Sequence, residues 1–105
     1  MLTEKDYCDL DTSHELWVMG LEPEAYYDGP IILLYEAQKW LREVKKIEIV
    51  VLGEKEIGGP YYADIYTESG YAGYVHKPCE KYEEALSEGI KAAVKILKED
   101  ETIHE

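Results

Sequence analysis

Two long stretches of the chain place apolar residues at the spacing of an α-helix with one buried face. In the first, which follows Pro30, the apolar positions are Leu33, Ala37, Trp40, Leu41 and Val44. In the second, which begins at Glu80, they are Tyr82, Ala85, Leu86, Gly89, Ile90, Ala93, Val94 and Leu97. Both patterns predict helices, and Lys45 and Lys46 suit the last turn of the first, where cations favour the negative end of the helix dipole.

A shorter helix is predicted at residues 12–19. The Asp-Thr-Ser triplet at 11–13 supplies side chains of the kind that cap a helix, and Glu15 places a carboxylate in the first turn. Gly20 ends the run. The stretch 21–30 contains two prolines and an Asp-Gly pair, which predicts a loop that joins the two helices.

Three further segments have the composition of β-strands. Residues 47–52 are mostly β-branched and apolar. Residues 61–67 and 71–76 flank Glu68-Ser69-Gly70, whose glycine can adopt the positive φ that a short hairpin loop requires. Residues 53–60 form a polar, glycine-bearing loop between the first strand and this hairpin.

Alternation along the 61–67 strand separates two faces. Ala63 and Ile65 fall opposite Tyr62, Asp64 and Tyr66. In the last helix the small residues Ala85, Gly89 and Ala93 recur every four positions, so this helix is expected to lie close to the sheet.

These elements predict one α+β domain over residues 1–105, in the order α-α-β-β-β-α. A small antiparallel sheet of about three strands is expected, covered on one face by helices. The ends, residues 1–11 and 99–105, are expected to be flexible.

The chain carries 23 acidic and 11 basic side chains, a formal charge of −12. Nucleic-acid binding pairs Lys and Arg with phosphates, so direct binding to DNA or RNA is disfavoured, while attraction to a basic protein is permitted. No apolar run approaches the roughly 20 residues of a membrane span. Two cysteines and no secretory signal favour a cytoplasmic location.

Few residues are available for metal or thiol chemistry. Cys8, His14, His76 and Cys79 could together form a tetrahedral zinc site, although they lack a recognised paired spacing. Cys79 near a helix start could also serve as a nucleophile with His76 as its base. Its other interpretation is a small buried or capping residue. No catalytic signature accompanies these residues, so no enzyme activity and no cofactor are expected.

The aromatic composition is unusual, with ten Tyr, two Trp and no Phe. Tyrosine is enriched at protein interfaces because its ring buries area while its hydroxyl retains a polar contact. The hairpin tyrosines are therefore candidates for an interaction surface: Tyr61, Tyr62, Tyr66, Tyr71 and Tyr74. Cross-strand packing explains part of the set. Asp64 lies among them, and an inward or edge-facing charge that blocks sheet-to-sheet aggregation is favoured over a general acid.

Four segments resemble a group of small uncharacterised proteins encoded by phages and prophages of gut bacteria. They are TSHELWVMGL at 12–21, YEAQKWLRE at 35–43, YYADIY at 61–66 and YEEAL at 82–86. In that group a tryptophan-bearing helix leads into a strand, a tyrosine-rich strand follows and a YEEAL helix ends the chain. The resemblance implies an accessory protein of a mobile element and carries no known activity.

A second likeness is to HicB-type antitoxins, whose hairpin bears a GGYxA motif before a helix that begins EEAL. Residues 69–75 and 83–86 match that shape. HicB proteins usually begin with the hairpin and place a third strand before the helix, whereas here about 60 residues precede it and only 77–81 intervene. The likeness implies an acidic antitoxin that shields a basic RNA-cleaving toxin.

The leading hypothesis is a non-catalytic accessory protein that acts by protein contact. One alternative is an acidic mimic that inhibits a host nucleic-acid-binding protein, and another is the HicB-like antitoxin. A homodimer could form through an unpaired strand edge of the hairpin.

Overall fold

Three helices and two small antiparallel sheets make up the described part of the chain. The computed structural model describes residues 6–23, 25–27, 29–53, 60–74 and 78–103. The elements are α1 (Leu10–Val18), β1 (Ala25–Tyr26), β2 (Pro30–Ile31), α2 (Leu34–Val44), β3 (Glu48–Gly53), β4 (Tyr61–Thr67), β5 (Gly70–Tyr74) and α3 (Tyr82–Ile103). The predicted α+β class, the order α-α-β-β-β-α and the three-stranded sheet, in the order β3-β4-β5, are confirmed.

The hairpin β1–β2 occupies the stretch that the sequence predicts to be a loop. Ala25 pairs with Ile31 and Tyr26 with Pro30, and the Tyr27 N–H donates to the Gly29 carbonyl at 2.8 Å. Strands of two residues contain no alternation that a sequence pattern could show, which is why the loop interpretation was incomplete.

Helix α1 begins earlier than the predicted residue 12. Asp9 is its N-cap, and its carboxylate accepts a hydrogen bond from the Thr12 N–H at 2.7 Å. At the other end Gly20 has φ +116° and donates to the Trp17 carbonyl, while the Leu21 N–H donates to Leu16, both at 3.0 Å. This pair of bonds is a Schellman motif, so Gly20 ends the helix as predicted.

Parts of both ends that were expected to be flexible have regular hydrogen bonding. Tyr7 forms a bridge with Leu33, and the Cys8 N–H donates to the Ile32 carbonyl at 2.9 Å. Helix α3 continues through Ile103, so it includes most of the predicted tail at 99–105.

Helix α2 buries Leu34, Ala37 and Leu41. Val44, predicted to share this face, is instead exposed. The two lysines lie just after the helix rather than in its last turn. Lys46 takes the left-handed φ of +59°, which ends the helix, and the Lys45 ammonium lies 5.5 Å from the centre of the Trp40 ring, a cation–π distance.

The main sheet presents two different faces. Ile49 on β3 pairs with Ile65 on β4, and Val51 pairs with Ala63. Ile49, Ala63 and Ile65 are buried beneath α3, which confirms the predicted alternation along β4. Gly70 has φ +113° beside the Glu68–Ser69 turn, as the hairpin prediction requires.

Helix α3 approaches the sheet at Gly89, as its small residues predict. A Cβ added at Gly89 would lie 2.7 Å from Ile49 Cγ2 and 2.9 Å from Ala63 Cβ. Both distances are too short for carbon atoms, so glycine is the residue that permits this packing. Ala85 and Ala93, one turn away on either side, are buried in the same contact.

Helix α1 is joined to α3 by two ion pairs. Lys91 Nζ lies 3.1 Å from the Asp9 carboxylate, and Lys98 Nζ lies 3.0 Å from that of Glu15. Burial alone would raise the pKa of Asp9, but hydrogen bonds from Thr12 and the ammonium of Lys91 outweigh it and lower that pKa. Asp9 therefore caps one helix and pairs with another.

We expect Gly89→Ala to lower the free energy of unfolding by about 1 kcal/mol. Alanine gains about 1 kcal/mol of helix propensity, but forcing a methyl group into a filled core costs about 1–3 kcal/mol. Urea denaturation followed by circular dichroism measures the difference. Lys95→Ala, on the exposed side of the same helix, should change stability by less than about 0.5 kcal/mol. A more stable Gly89→Ala protein would contradict the close packing.

We expect Asp9→Ala to destabilise the protein by about 1 kcal/mol through loss of the cap. Asp9→Asn keeps a capping oxygen and should cost less. Because the folded protein lowers the pKa of Asp9, its charge stabilises above the unfolded value near 4, and this contribution is lost as the pH falls below it. Unfolding curves at pH 7 and pH 3 measure this; an equal effect of Asp9→Ala at both would refute the charge contribution.

Candidate interaction surface

The face of the main sheet opposite α3 is lined by tyrosines, and α2 contacts the sheet at its β3 edge. Alternation and register assign seven residues to it: Glu48, Val50, Leu52, Tyr62, Asp64, Tyr66 and Tyr71. We refer to these seven residues as the open sheet face. Leu52 is 50%, Tyr66 39% and Tyr71 56% exposed, so large apolar surface faces solvent here.

The structure brings together three of the five predicted surface tyrosines. Tyr66 pairs with Tyr71 across β4 and β5, and their rings meet edge to face at 5.4 Å. Tyr62 lies on the same face, two residues before Asp64. Cross-strand aromatic pairs of this kind stabilise a sheet, so Tyr66 and Tyr71 also have a structural role.

Tyr61 takes a different position, whereas the backbone of residue 74 is paired with this face. Tyr61 lies on the helix side, half-buried, with its ring edge-on to Tyr82 of α3 at 6.1 Å. It therefore does not belong to the open sheet face. Residue 74 lies opposite Asp64 because a bulge shifts the register between β4 and β5: Ile65 pairs with Gly73, while Tyr66 pairs with Tyr71.

Asp64 lies at the centre of the open sheet face. Strand β4 runs between β3 and β5, so Asp64 is not on a sheet edge. Its predicted role as a charge that blocks sheet-to-sheet aggregation stays a prediction. Within the described part of the chain, Asp64 has no salt bridge and no side-chain hydrogen bond. The residue is half-buried.

Glu48 carries the second carboxylate of this face. Its Oε2 lies 3.8 Å from Arg42 Nε, at the long limit for an ion pair, and this oxygen is buried without a hydrogen-bond partner. The geometry favours a weak charge contact over a hydrogen bond. Arg42 borders the face from α2, whereas the seven face positions include no basic residue.

Gln38 binds the backbone of β3, an edge strand of the sheet. Its side-chain Nε2 donates to the carbonyl of Ile49 on β3 at 2.8 Å. The contact joins α2 to β3 and satisfies a backbone acceptor of this strand.

The predicted metal and thiol residues are only partly assembled. Cys8 and Cys79 are both buried, and both line a cleft of about 700 Å³ between the start of α1 and the start of α3. His14 lies elsewhere, edge-on to Trp17 at 5.8 Å, and His76 is outside the described residues. Across the described ranges no three His, Cys, Asp or Glu side chains are placed to hold a metal ion.

The environment of Cys8 opposes thiolate chemistry. Burial, reinforced by the carboxylates of Asp9 and Glu36, raises the pKa of its thiol from 9.0 to about 12. Cys79 exchanges two backbone hydrogen bonds with Tyr61, at 2.7 and 3.0 Å, and so extends the β4 pairing just before α3. Cys79 is also buried, as one of its two interpretations predicted.

A second exposed apolar surface was missed in the sequence. On α1, Leu10 is 72% and Val18 70% exposed, and Trp17 packs edge-on against Tyr26 of β1 at 6.2 Å. The spacing of Leu10, His14 and Trp17, by four and three residues, is the signal that could have revealed this outer helix face.

The fold and surface together define a small α+β domain with one helix-covered and one tyrosine-lined sheet face. No protein-family model, no curated protein and no solved structure matches the chain. Among the described residues, no helix combines the length and apolar character needed to cross a bilayer.

We expect Cys8 to resist alkylation by iodoacetamide at pH 8.5. A pKa near 12 instead of 9.0 lowers the thiolate fraction by roughly three orders of magnitude. Peptide mass mapping should show modification of Cys8 at least about a hundredfold slower in the native protein than in guanidinium.

The protonated thiol stabilises the fold below pH 9, and this contribution to the free energy of unfolding is lost as the pH rises toward 12. Equal native and denatured rates would contradict its burial.

Proposed function

We propose that the protein is a non-catalytic accessory protein, of the kind that phages and prophages encode, and that it acts by binding another protein through the open sheet face. The observation that carries the proposal is the exposure of Leu52, Tyr66 and Tyr71 on the sheet face opposite α3. An uncovered sheet face of this composition resembles the apolar, tyrosine-rich centre of a protein interface.

The charge of the chain favours a basic partner. A net charge of −12 attracts positively charged proteins and speeds their encounter, and it repels the phosphates of nucleic acids. The resemblance of the sequence to small phage-encoded proteins supports a role in the cytoplasm of a bacterial host.

Tyrosine-mediated contact is better supported than mimicry of nucleic acid. A mimic requires an array of carboxylates on one surface, whereas on α3 three lysines separate the acids of the first two turns from those near the end of the helix: Lys91, Lys95 and Lys98. Lys91 lies 3.9 Å from Glu88, and Lys98 pairs with Glu15. The described acids are spread over α1, the open sheet face and α3.

The HicB-like antitoxin is the other alternative. Between β5 and α3, the described residues contain a single bridge at Cys79 rather than the third strand typical of that family. A partner that proved to be a small basic RNA-cleaving protein would favour this alternative, and it would still be compatible with binding through the open sheet face.

Affinity capture from the lysate of the cells that carry the gene tests the proposal. We expect a Tyr66→Ser/Tyr71→Ser double variant to lose at least about 90% of the partner captured by the wild type, because centrally placed aromatic side chains dominate interface energies. Quantitative mass spectrometry of the captured proteins gives the ratio.

Tyr35→Ser is the matched control, since Tyr35 on α2 is 56% exposed, as is Tyr71. Capture by this variant should equal that of the wild type. A partner retained fully by the double variant, with its fold verified by circular dichroism, would contradict the proposed surface.

A further inference from the structure

Asp64 occupies the centre of the open sheet face. Val50 on β3 and residue 74 on β5 are its register partners on either side. Directly opposed residues in a sheet have Cβ atoms about 4.5–5.5 Å apart. Tyr62 and Tyr66 lie two residues away along β4, a distance of about 7 Å. The positions beside Asp64 on this face thus include tyrosines and an aliphatic residue.

This placement is unfavourable for the isolated chain. Aspartate is depleted in β-strands, and a half-buried carboxylate loses hydration without gaining a partner. Within the described residues Asp64 gains none, whereas Glu48 on the same face has Arg42 nearby. A group that weakens the fold and makes no internal contact is suited to an intermolecular one.

The surroundings of Asp64 match the chemistry of a guanidinium group. The planar guanidinium of arginine donates two parallel hydrogen bonds to a carboxylate and stacks on aromatic rings. A guanidinium bound at Asp64 would have the tyrosines of neighbouring positions available for a cation–π contact, which requires a ring within about 6 Å. A lysine ammonium provides the charge without the planar contact.

From this arrangement we infer that the open sheet face binds an arginine-bearing segment of a partner protein, with Asp64 as the carboxylate that receives the guanidinium beside Tyr62 and Tyr66. The inference rests on the proposed function and specifies the chemistry of the partner. A second copy of the chain is a poor occupant, because each copy carries a charge of −12 and the face contains no basic residue to meet Asp64.

Binding of short synthetic peptides tests the inference. The probe is a capped nine-residue peptide that alternates arginine and valine, and its counterparts carry lysine or glutamine in place of arginine. We expect isothermal titration to show the arginine peptide binding at least fivefold more tightly than the lysine peptide, and the glutamine peptide not binding. Amide chemical shifts of the ¹⁵N-labelled protein should change at residues 62–66 and 71.

Asp64→Asn is the decisive variant, since it keeps the size of the side chain and removes its charge. We expect it to bind the arginine peptide at least tenfold more weakly and to melt at a temperature no lower than that of the wild type. Glu43→Gln, on the exposed side of α2, removes one charge elsewhere and should change affinity less than twofold.

Three outcomes would overturn the inference. The first is equal affinity for the arginine and lysine peptides. The second is an equal loss of affinity for the arginine peptide in the Asp64→Asn and Glu43→Gln variants. The third is self-association of the protein through the open sheet face, detected by sedimentation. If the natural partner depends on Tyr66 and Tyr71 but is captured equally by Asp64→Asn, the arginine inference fails and the proposed function stands. If capture is independent of the tyrosines, the proposed function itself fails.

Discussion

The close approach of α3 to the sheet at Gly89 determines the rest of the structure. Glycine in the middle of a helix costs about 1 kcal/mol relative to alanine, yet at this position any Cβ would overlap Ile49 and Ala63. Because this contact buries one face of the sheet, every second residue of β3 and β4 lies on the other face, away from the core. The tyrosine face is therefore a direct consequence of how the helix packs.

The two sheet faces also separate stability from recognition. Residues that hold the fold together, such as Ile65 and Ile90, are almost completely buried on the helix side. On the other side, Asp64 combines poor strand propensity with the absence of an internal partner among the described residues. A single carboxylate of this kind is easily tolerated by a domain whose core lies entirely on the opposite face, and it leaves a charged group available for binding.

Sequence patterns predicted those helices and strands in which the spacing of apolar residues repeats several times. The helical spacing before Val44 and after Glu80, and the alternation around Ala63 and Ile65, correspond to the observed helices and β4. The β1–β2 hairpin was missed because two-residue strands have no period. The predicted start of α1 was wrong, because the side chains at residues 11–13 are as suitable for capping as that of Asp9. The ion pair with Lys91 of α3, which a local pattern does not show, distinguishes Asp9 from these residues.

The candidate surface could be predicted in composition but not in arrangement. Tyr71 and Tyr74 are three residues apart, which in a regular strand places them on opposite faces. The bulge beside Ile65 brings residue 74 opposite Asp64 instead, and Gly73, with φ +137°, is the local signal of that shift that alternation alone does not use. The position of Tyr61, by contrast, could be predicted. Tyr61 lies two residues before Ala63, so alternation places it on the helix side of the sheet, where its ring meets Tyr82.

The central claim is that one sheet face is sealed by α3 and the other is open to solvent. Relaxation enhancement by a soluble gadolinium chelate, measured by NMR at assigned side chains of the free protein, tests it directly. The structure predicts strong enhancement at Leu52, Tyr66 and Tyr71 and weak enhancement at Ile49, Ala63 and Ile65. Protected tyrosines, or similar enhancement on both faces, would contradict it.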